Sequence, residues 1–378
     1  MADQHTYDVC FLSFAEPWTD SRTINMAETL ADAGKSVALI AFGLEAPDFL
    51  TNKGIKFLPM PHYKEFRVWK QWIKFRRDIR AYRRTIAARN YIACDVFTLP
   101  FAAGMAKRHS GKLIYDSREI FSAMGPAAAN PAKQKIISIV EKLFVRQVKD
   151  IIVSGRLDAE YLSKYFQRPH KYHLVMNLPP YRECKRSELL SACHDIPEDH
   201  SIAIYQGAIL PGRGLRHSIR ALAHVGGITL CIFGEGKFMD ILKYEAQQAG
   251  VADRVIFCGR VPYRELHDWT CSADFGLALF RPISLSYELA LPNKIFEYCM
   301  AGIPSIASDL PAMREIHEDI DFFMTIPKNA SELDIAAAME KMKDSEFRKI
   351  YINKCPAAAK KYSYEAQRDT IISIVDGI

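Results

Sequence analysis

Short apolar, β-branched runs recur along the whole chain, and most are followed by a stretch with helical spacing. Strands separated by helix-length crossovers point to parallel sheets built from βαβ units. In the first half the runs are YDVCFLSF, SVALIAFG, IKFLPM, DVFTLP, KLIYDS, DIIVSG and YHLVMN. In the second half they are SIAIYQGAI, ITLCIFGEG, RVIFCGRV, DFGLALF, IPSIASD and DFFMTI. Two such series predict an α/β chain of two doubly wound, Rossmann-like parallel sheets in tandem, facing a central cleft. Open sheets of this kind take ligands at the carboxyl ends of their strands, so that cleft is the expected active site.

A chain of 378 residues exceeds one ordinary core. Around NLPPYRECKRSELLSACHDIPEDHS both periodicities stop, which makes Pro179 to His200 a linker. The expected division is an N-terminal domain over 1–178, the linker 179–200, a C-terminal domain over 201–358, and a last amphipathic helix over 359–378. That helix either closes the second domain or crosses back onto the first. The first helix, about Ser21 to Ala33, has Asp20 or Ser21 as its N-cap and Gly34 beyond its end.

Apolar content of 49% and charged content of 25% exclude a disordered chain. The nine cysteines form no CxxC pair and no His/Cys cluster, the pattern of a reduced, cytoplasmic chain without structural zinc. No basic segment with an apolar core opens the sequence, and no run of about eighteen apolar residues occurs, so neither an export signal nor a membrane span is expected. The net charge of +6 is concentrated. Between Lys64 and Arg89, ten Lys/Arg face only Glu65 and Asp78.

Four turns carry the residues of a phosphate and sugar site. In GAILPGRGL, Gly207, Gly212 and Gly214 free the backbone to approach a ligand, Arg213 supplies a cation, and a helix begins at once. The ordinary alternative is a strand-to-helix turn with an exposed arginine. GEGKF repeats the pattern with Gly234 and Gly236 but has Met239 in place of a third glycine, and FCGRVP either is an ordinary strand-end turn or sets Arg260 where it would border a nucleobase. In LPNKIFEYCMAGIP, Pro292 and Asn293 suit a helix start, with Lys294 and Glu297 on one face. A lysine opposes the positive end of the helix dipole, so it is either a tolerated local cost or a partner for a bound anion. Lys294 would then hold a phosphate, and Glu297 would accept hydrogen bonds from sugar hydroxyls.

The succession YQGAI…GRGL, IFGEG, VIFCGRV, ADFGLALF and LPNKIFEYCMAGIPSIASDLPAMREI resembles the donor-binding domain of retaining nucleotide-sugar glycosyltransferases of family 4, which have the GT-B fold. LADAGKSVALIAFG, KLIYDSREIF and VKDIIVSGRLDAEYL extend the resemblance through the first half. It implies that GAILPGRGL holds the donor diphosphate, with Arg213 in the place of the family's lysine and Ala208 in that of its arginine. It implies a ribose contact for Glu297, the second glutamate of a Glu-x7-Glu motif. The first would fall at Leu289, with Glu288 as the neighbour able to substitute. Arg118 stands where the family often has a histidine near the transferred sugar. Asp116, Arg118 and Glu119 are therefore acceptor-side candidates, the alternative being a strand end with a satisfied aspartate and a surface glutamate, and EPWTDSR, with Asp20 and Arg22, is expected to line the acceptor pocket.

The function these readings imply is transfer of a sugar from a nucleoside diphosphate sugar to a glycan or glycolipid acceptor, with retention. Arg213, Lys294 and Arg118 are the catalytic cations. No cofactor, no metal and no nucleic acid are expected. A nucleotide-sugar 2-epimerase and a non-catalytic protein binding nucleotide sugars or membranes are the alternatives. In the Lys64–Arg89 segment Trp69, Trp72, Ile73, Ile79, Tyr82 and Ile86 recur at helical spacing beside basic residues. That pattern fits an anionic membrane surface at the cytoplasmic face, or a helix packed on the sheet with solvated lysines and arginines.

Overall fold

The computed structural model describes residues 6–61, 68–118, 120–121 and 130–377. The chain forms two units, Met1–Asn177 with Gln367–Ile378, and Leu178–Ala366.

The first unit is built on a seven-stranded parallel sheet. Its strands are β1 (Tyr7–Leu12), β2 (Val37–Phe42), β3 (Lys56–Met60), β4 (Ala88–Ala93), β5 (Lys112–Ser117), β6 (Asp150–Val153) and β7 (Lys171–Leu174), in the order β3-β2-β1-β4-β5-β6-β7. Every residue of β2 is buried, as a strand covered on both faces requires. The Ser21–Asp32 helix begins where Asp20 accepts a hydrogen bond from Thr23 N. The last helix, Arg368–Asp376, packs on that first helix. Gln367 joins Met176 through both backbone groups, and Lys112 Nζ reaches Ile374 O at 3.1 Å.

The second unit carries a six-stranded parallel sheet: β8 (Ser201–Gln206), β9 (Ile228–Phe233), β10 (Val255–Gly259), β11 (Phe275–Ala278), β12 (Ser305–Ser308) and β13 (Met324–Ile326), in the order β10-β9-β8-β11-β12-β13. The strand order reverses between β8 and β11, and the loops that leave those two strands flank that switch point. In the expected linker, a short helix spans Leu189–Cys193.

Two sequence expectations are corrected. DVFTLP is no strand: Asp95 accepts hydrogen bonds from Thr98 N and Phe14 N, a turn that starts the Leu99–His109 helix with Pro100 in its first turn. The strand lies earlier, at β4, which overlaps the end of the basic segment at Ala88 and Arg89. The basic segment is accordingly shorter, a Val68–Asp78 helix and an Arg80–Arg83 turn of helix, and its residues 64–67 lie outside the described residues.

One buried acid gives the first unit a pH dependence. Glu141 on the Pro131–Phe144 helix is 1% exposed and accepts a hydrogen bond from Tyr115 Oη at 2.7 Å. Burial pushes its carboxyl up from 4.5 to about 7, against the weaker pull of the Tyr115 hydrogen bond. The folded chain therefore holds this proton more tightly than the unfolded chain, so the group's stabilisation is present below the ordinary value and is lost as pH rises to about 7. Urea denaturation at several pH values is expected to show that fall flattened in Glu141→Gln, which gains on the order of 1–2 kcal/mol over the parent above neutrality.

Candidate functional site

The loops leaving β8, β9 and β10 are fastened to one another by backbone hydrogen bonds. Gly207 N donates to Phe233 O at 2.9 Å, Ile209 N to Glu235 O at 2.9 Å, and Gly234 N to Gly259 O at 2.7 Å. A Cβ on Gly234 would lie 2.0 Å from Gly207 O, and one on Gly236 2.0 Å from Ile209 O. Both glycines thus have a packing reason of their own. Gly207, Gly212 and Gly214 all take positive φ, at 122°, 81° and 74°.

The Lys294–Met300 helix is seated against β8 and β11 by Tyr298, whose Oη donates to Ile204 O at 3.2 Å and Leu277 O at 3.1 Å. Gly276 makes this possible, since a Cβ there would lie 2.3 Å from the Tyr298 ring. The seating carries Lys294 inward to 7% exposure. Its Nζ lies 3.7 Å from the centroid of Tyr205 and 5.6 Å from that of Phe280. The Arg213 guanidinium stacks on the same Phe280 at 4.3 Å and on Tyr287 at 4.9 Å. Aromatic faces attract cations, but they supply no countercharge. Burial and then the Arg213 charge hold Lys294 well below the ordinary lysine range, and Glu297 offsets only part of this. Arg213 Nε is buried without a hydrogen-bond partner, and neither cation forms an ion pair among the described residues. Two adjacent cations with open donors make a site for an anion.

Glu297, one turn along, opens onto a shallow pocket lined among others by Arg182, Gln206, Tyr263, His267, Thr270 and Met300. Thr270 Oγ1 donates to Gln206 Oε1 at 2.8 Å, and Gln206 Nε2 donates to Glu297 Oε2 at 2.5 Å. Burial raises the Glu297 carboxyl, against the Gln206 hydrogen bond and the Lys294 charge. The chain Thr270–Gln206–Glu297 thus orients one oxygen of a carboxylate.

The other donor-side candidates are differently placed. Arg260 is exposed after β10. Asn293 precedes the Lys294–Met300 helix without a side-chain capping bond. Glu288 ends the short Leu285–Glu288 helix and pairs with Lys328 Nζ at 2.7 Å, so its carboxylate already has a cation. Sequence reasoning passed over Tyr205, Phe280, Tyr287, Gln206, Tyr263 and Thr270. Gln206 left a signal, as the one polar side chain at the end of the otherwise apolar run IAIYQ.

In the first unit, Asp20, Arg22, Asp116 and Arg118 form one buried charge cluster. Arg22 is 3% exposed and grips Asp116 through Nε at 3.1 Å and Nη2 at 2.8 Å, with Nη1 on Val175 O at 2.6 Å. Arg118 donates through Nε to Asp116 at 3.0 Å, through Nη1 to Asp20 at 2.5 Å, and through Nη2 to Thr23 Oγ1. Burial works to raise Asp20, but the Arg118 charge and the hydrogen bonds from Ser13 and Thr23 bring it below its ordinary value. All three guanidinium nitrogens of Arg118 are thereby engaged within the fold. Glu119 lies outside the described residues. Trp18, in the EPWTDSR loop, is 61% exposed and meets Phe49 edge-on.

Residues 201–344, within the second unit, match the family described as Glycosyl transferases group 1, which supports a glycosyltransferase. Over the whole chain, solved structures give the GT-B fold. Sucrose-phosphate synthase from Thermosynechococcus elongatus aligns with a TM-score of 0.78 at 14% identity, covering 98% of both chains. Anabaena HepE, solved with UDP and glucose, aligns at 0.77 and 14% identity, over 98% of this chain and 100% of that one. WaaG, a glycosyltransferase involved in lipopolysaccharide biosynthesis, aligns at 0.73 and 14%, over 98% and 100%. No curated protein matches the chain in sequence.

The charge cluster of the first unit makes a sharp prediction. Arg22→Met leaves Asp116 buried with only Arg118, so denaturant unfolding is expected to show a loss of about 3–5 kcal/mol, most of it restored in Arg22→Met/Asp116→Leu.

Proposed function

We propose that this chain transfers a sugar from a nucleoside diphosphate sugar to the hydroxyl of a glycan or lipid-linked glycan. The observation that carries the reading is the pair Arg213 and Lys294, two cations on one aromatic cluster with no ion-pair partner among the described residues. As the anomeric C–O bond breaks, negative charge gathers on the leaving diphosphate. Cations already fixed and partly desolvated stabilise that charge without reorganising. Glu297, held by Gln206, would accept hydrogen bonds from the ribose hydroxyls.

With this reading we propose retention of configuration. The acceptor oxygen attacks from the face the diphosphate leaves, and the departing phosphate oxygen takes the acceptor's proton. A uridine diphosphate sugar is the first donor to test, because HepE is solved with UDP-glucose. We propose further that the protein works at the inner face of a membrane. The Val68–Asp78 helix favours this, with Trp69 57% and Ile73 52% exposed among basic side chains.

Thermal-shift measurements with uridine, guanosine and adenosine diphosphate sugars identify the donor, since a ligand that binds the folded state raises Tm. Arg213→Ala and Glu297→Ala are each expected to lower kcat/KM about ten- to a hundredfold, or roughly 1.5–3 kcal/mol. Full turnover in folded Glu297→Ala would remove the ribose contact. Release of free UDP only when acceptor is present separates a transferase from a 2-epimerase and from a binding protein.

Lys294 yields the more diagnostic variant. Its depressed folded pKa means that the unfolded chain binds this proton more tightly, so the unliganded protein gains stability as pH rises toward the ordinary lysine value. Lys294→Met removes that penalty. It is expected to raise the Tm of the unliganded protein near neutral pH and to lose most of the Tm gain that a nucleoside diphosphate confers. A drop in unliganded Tm together with an unchanged ligand shift would overturn the assignment of Lys294 to the diphosphate.

A further inference from the structure

The Pro131–Phe144 helix leaves Ile136, Ile139 and Leu143 exposed at 63%, 57% and 53%. At positions i, i+3 and i+7 they form one outward stripe, which a soluble helix ordinarily turns to the core. By helical spacing Lys135 and Arg146 border the stripe on one side and Lys133 on the other, all three exposed. The opposite side of this helix holds Glu141, buried against Tyr115 of β5.

This helix and the basic Val68–Asp78 helix share a layer. The crossovers β3 to β4, β4 to β5 and β5 to β6 all step the same way across the sheet, so right-handed connections put their helices on one face. Contacts agree with that placement. Trp72 and Phe75 pack on Phe101 of the Leu99–His109 helix, and the Pro131–Phe144 helix packs against the same neighbour. Trp69 and Ile73 point away from the buried Phe75 and Ile79. From 68 to 84 seven Lys/Arg face only Asp78, and from 131 to 149 five face only the buried Glu141, a local excess above the whole chain's +6.

We propose that these two helices form one docking face for an anionic lipid bilayer, with the Ile136–Leu143 stripe and the Trp69/Ile73 pair entering the headgroup boundary and the flanking cations on anionic headgroups. A protein partner with an apolar groove would also cover the stripe, but the excess of cations around both apolar clusters selects a surface of dense negative charge. Among the described residues no helix is long and apolar enough to cross a bilayer, and the arrangement is that of helices lying in its surface. This inference rests on the membrane reading of the basic helix and not on the transferase reading.

The test is co-sedimentation of the full chain with vesicles of equal phosphatidylcholine and phosphatidylglycerol, and with phosphatidylcholine alone. The parent is expected to pellet only with the anionic vesicles, and to be released at about 0.5 M salt, where surface charge is screened. Ile136→Ser/Ile139→Ser/Leu143→Ser and Lys133→Glu/Lys135→Glu alter exposed positions only, and each is expected to weaken vesicle binding by at least about tenfold. Transfer to a soluble acceptor should be unchanged in both. If these variants bind as the parent does while Trp69→Ser/Ile73→Ser does not, the two-helix face is wrong and the basic helix alone stands. Absence of parental binding, or equal binding to neutral vesicles, overturns both. A dimer that Ile139→Asp dissociates, without vesicle binding, reassigns the stripe to contact between copies of the chain.

Discussion

A lysine buried beside an arginine, with no ion-pair partner among the described residues, is an unfavourable arrangement, and the packing around it serves to hold it. Tyr298 pins the Lys294–Met300 helix to two strand carbonyls, and Gly276 gives that ring the space it needs. The aromatic rings of Tyr205, Phe280 and Tyr287 supply the attraction that keeps both cations in place. Cation–π contacts of this kind are worth about 0.5–2 kcal/mol each, less than a bound diphosphate would contribute. On the proposed reading, a diphosphate supplies the countercharge that the ring faces do not. The helix dipole argues in the same direction: a cation at the N-terminal end is disfavoured by the helix alone and becomes favourable once an anion shares the position.

The carboxylate next to it follows a complementary logic. Glu297 is desolvated, which raises its pKa, but Gln206 and Lys294 both favour its charged form. The Gln206 amide is itself oriented by Thr270, so one oxygen of Glu297 is occupied while the other carries no hydrogen bond from Gln206. Leu289, where the resemblance asks for a first glutamate, has no such support. Glu288 is drawn to Lys328 instead. The departure at 289 thus changes more than one residue type, because the neighbouring acid is committed to an ion pair across the loop.

Much of the fold could be read from the sequence, and the reason is the parallel sheet. Strands buried on both faces have to be continuous apolar runs; eleven of the thirteen lie within the runs quoted at the outset, and β7 precedes its run by Lys171 alone. The remaining strand is instructive. β4 contains an exposed Arg89 and a buried polar Asn90, so it looks like the tail of the basic helix, while DVFTLP owes its apolar look to a turn closed by Asp95. The glycine turns and the Lys294/Glu297 helix face were legible for a similar reason, since backbone approach and helical spacing leave local signatures. The aromatic cluster was not. Tyr205 lies far in sequence from Phe280 and Tyr287, all three are ordinary in type, and only the topology that brings the ends of β8 and β11 together makes them one surface. The apolar stripe on the Pro131–Phe144 helix has the periodicity of a core-facing helix, so sequence alone cannot tell that it faces outward.

The two groups of arginines show why residue type alone does not assign a role. Arg118 and Arg213 both follow strand ends, and both were grouped as catalytic cations from sequence. Arg118 shares Asp116 with Arg22 and takes Asp20 and Thr23 as well, so its charge is neutralised and every nitrogen has a partner. An anion offered to it would have to displace a carboxylate already desolvated, and breaking a buried pair costs about 3–5 kcal/mol. Arg213 has ring faces in place of acids and a buried Nε with no partner, so the same anion displaces nothing and satisfies a donor. The cluster around Arg118 is thus better suited to fixing the start of the Ser21–Asp32 helix against β5, through Asp20 as cap and Asp116 as anchor, than to meeting developing charge. On the proposed transfer reading, developing charge is met by Arg213 and Lys294 at the second unit's strand ends, which have no ion-pair partner among the described residues.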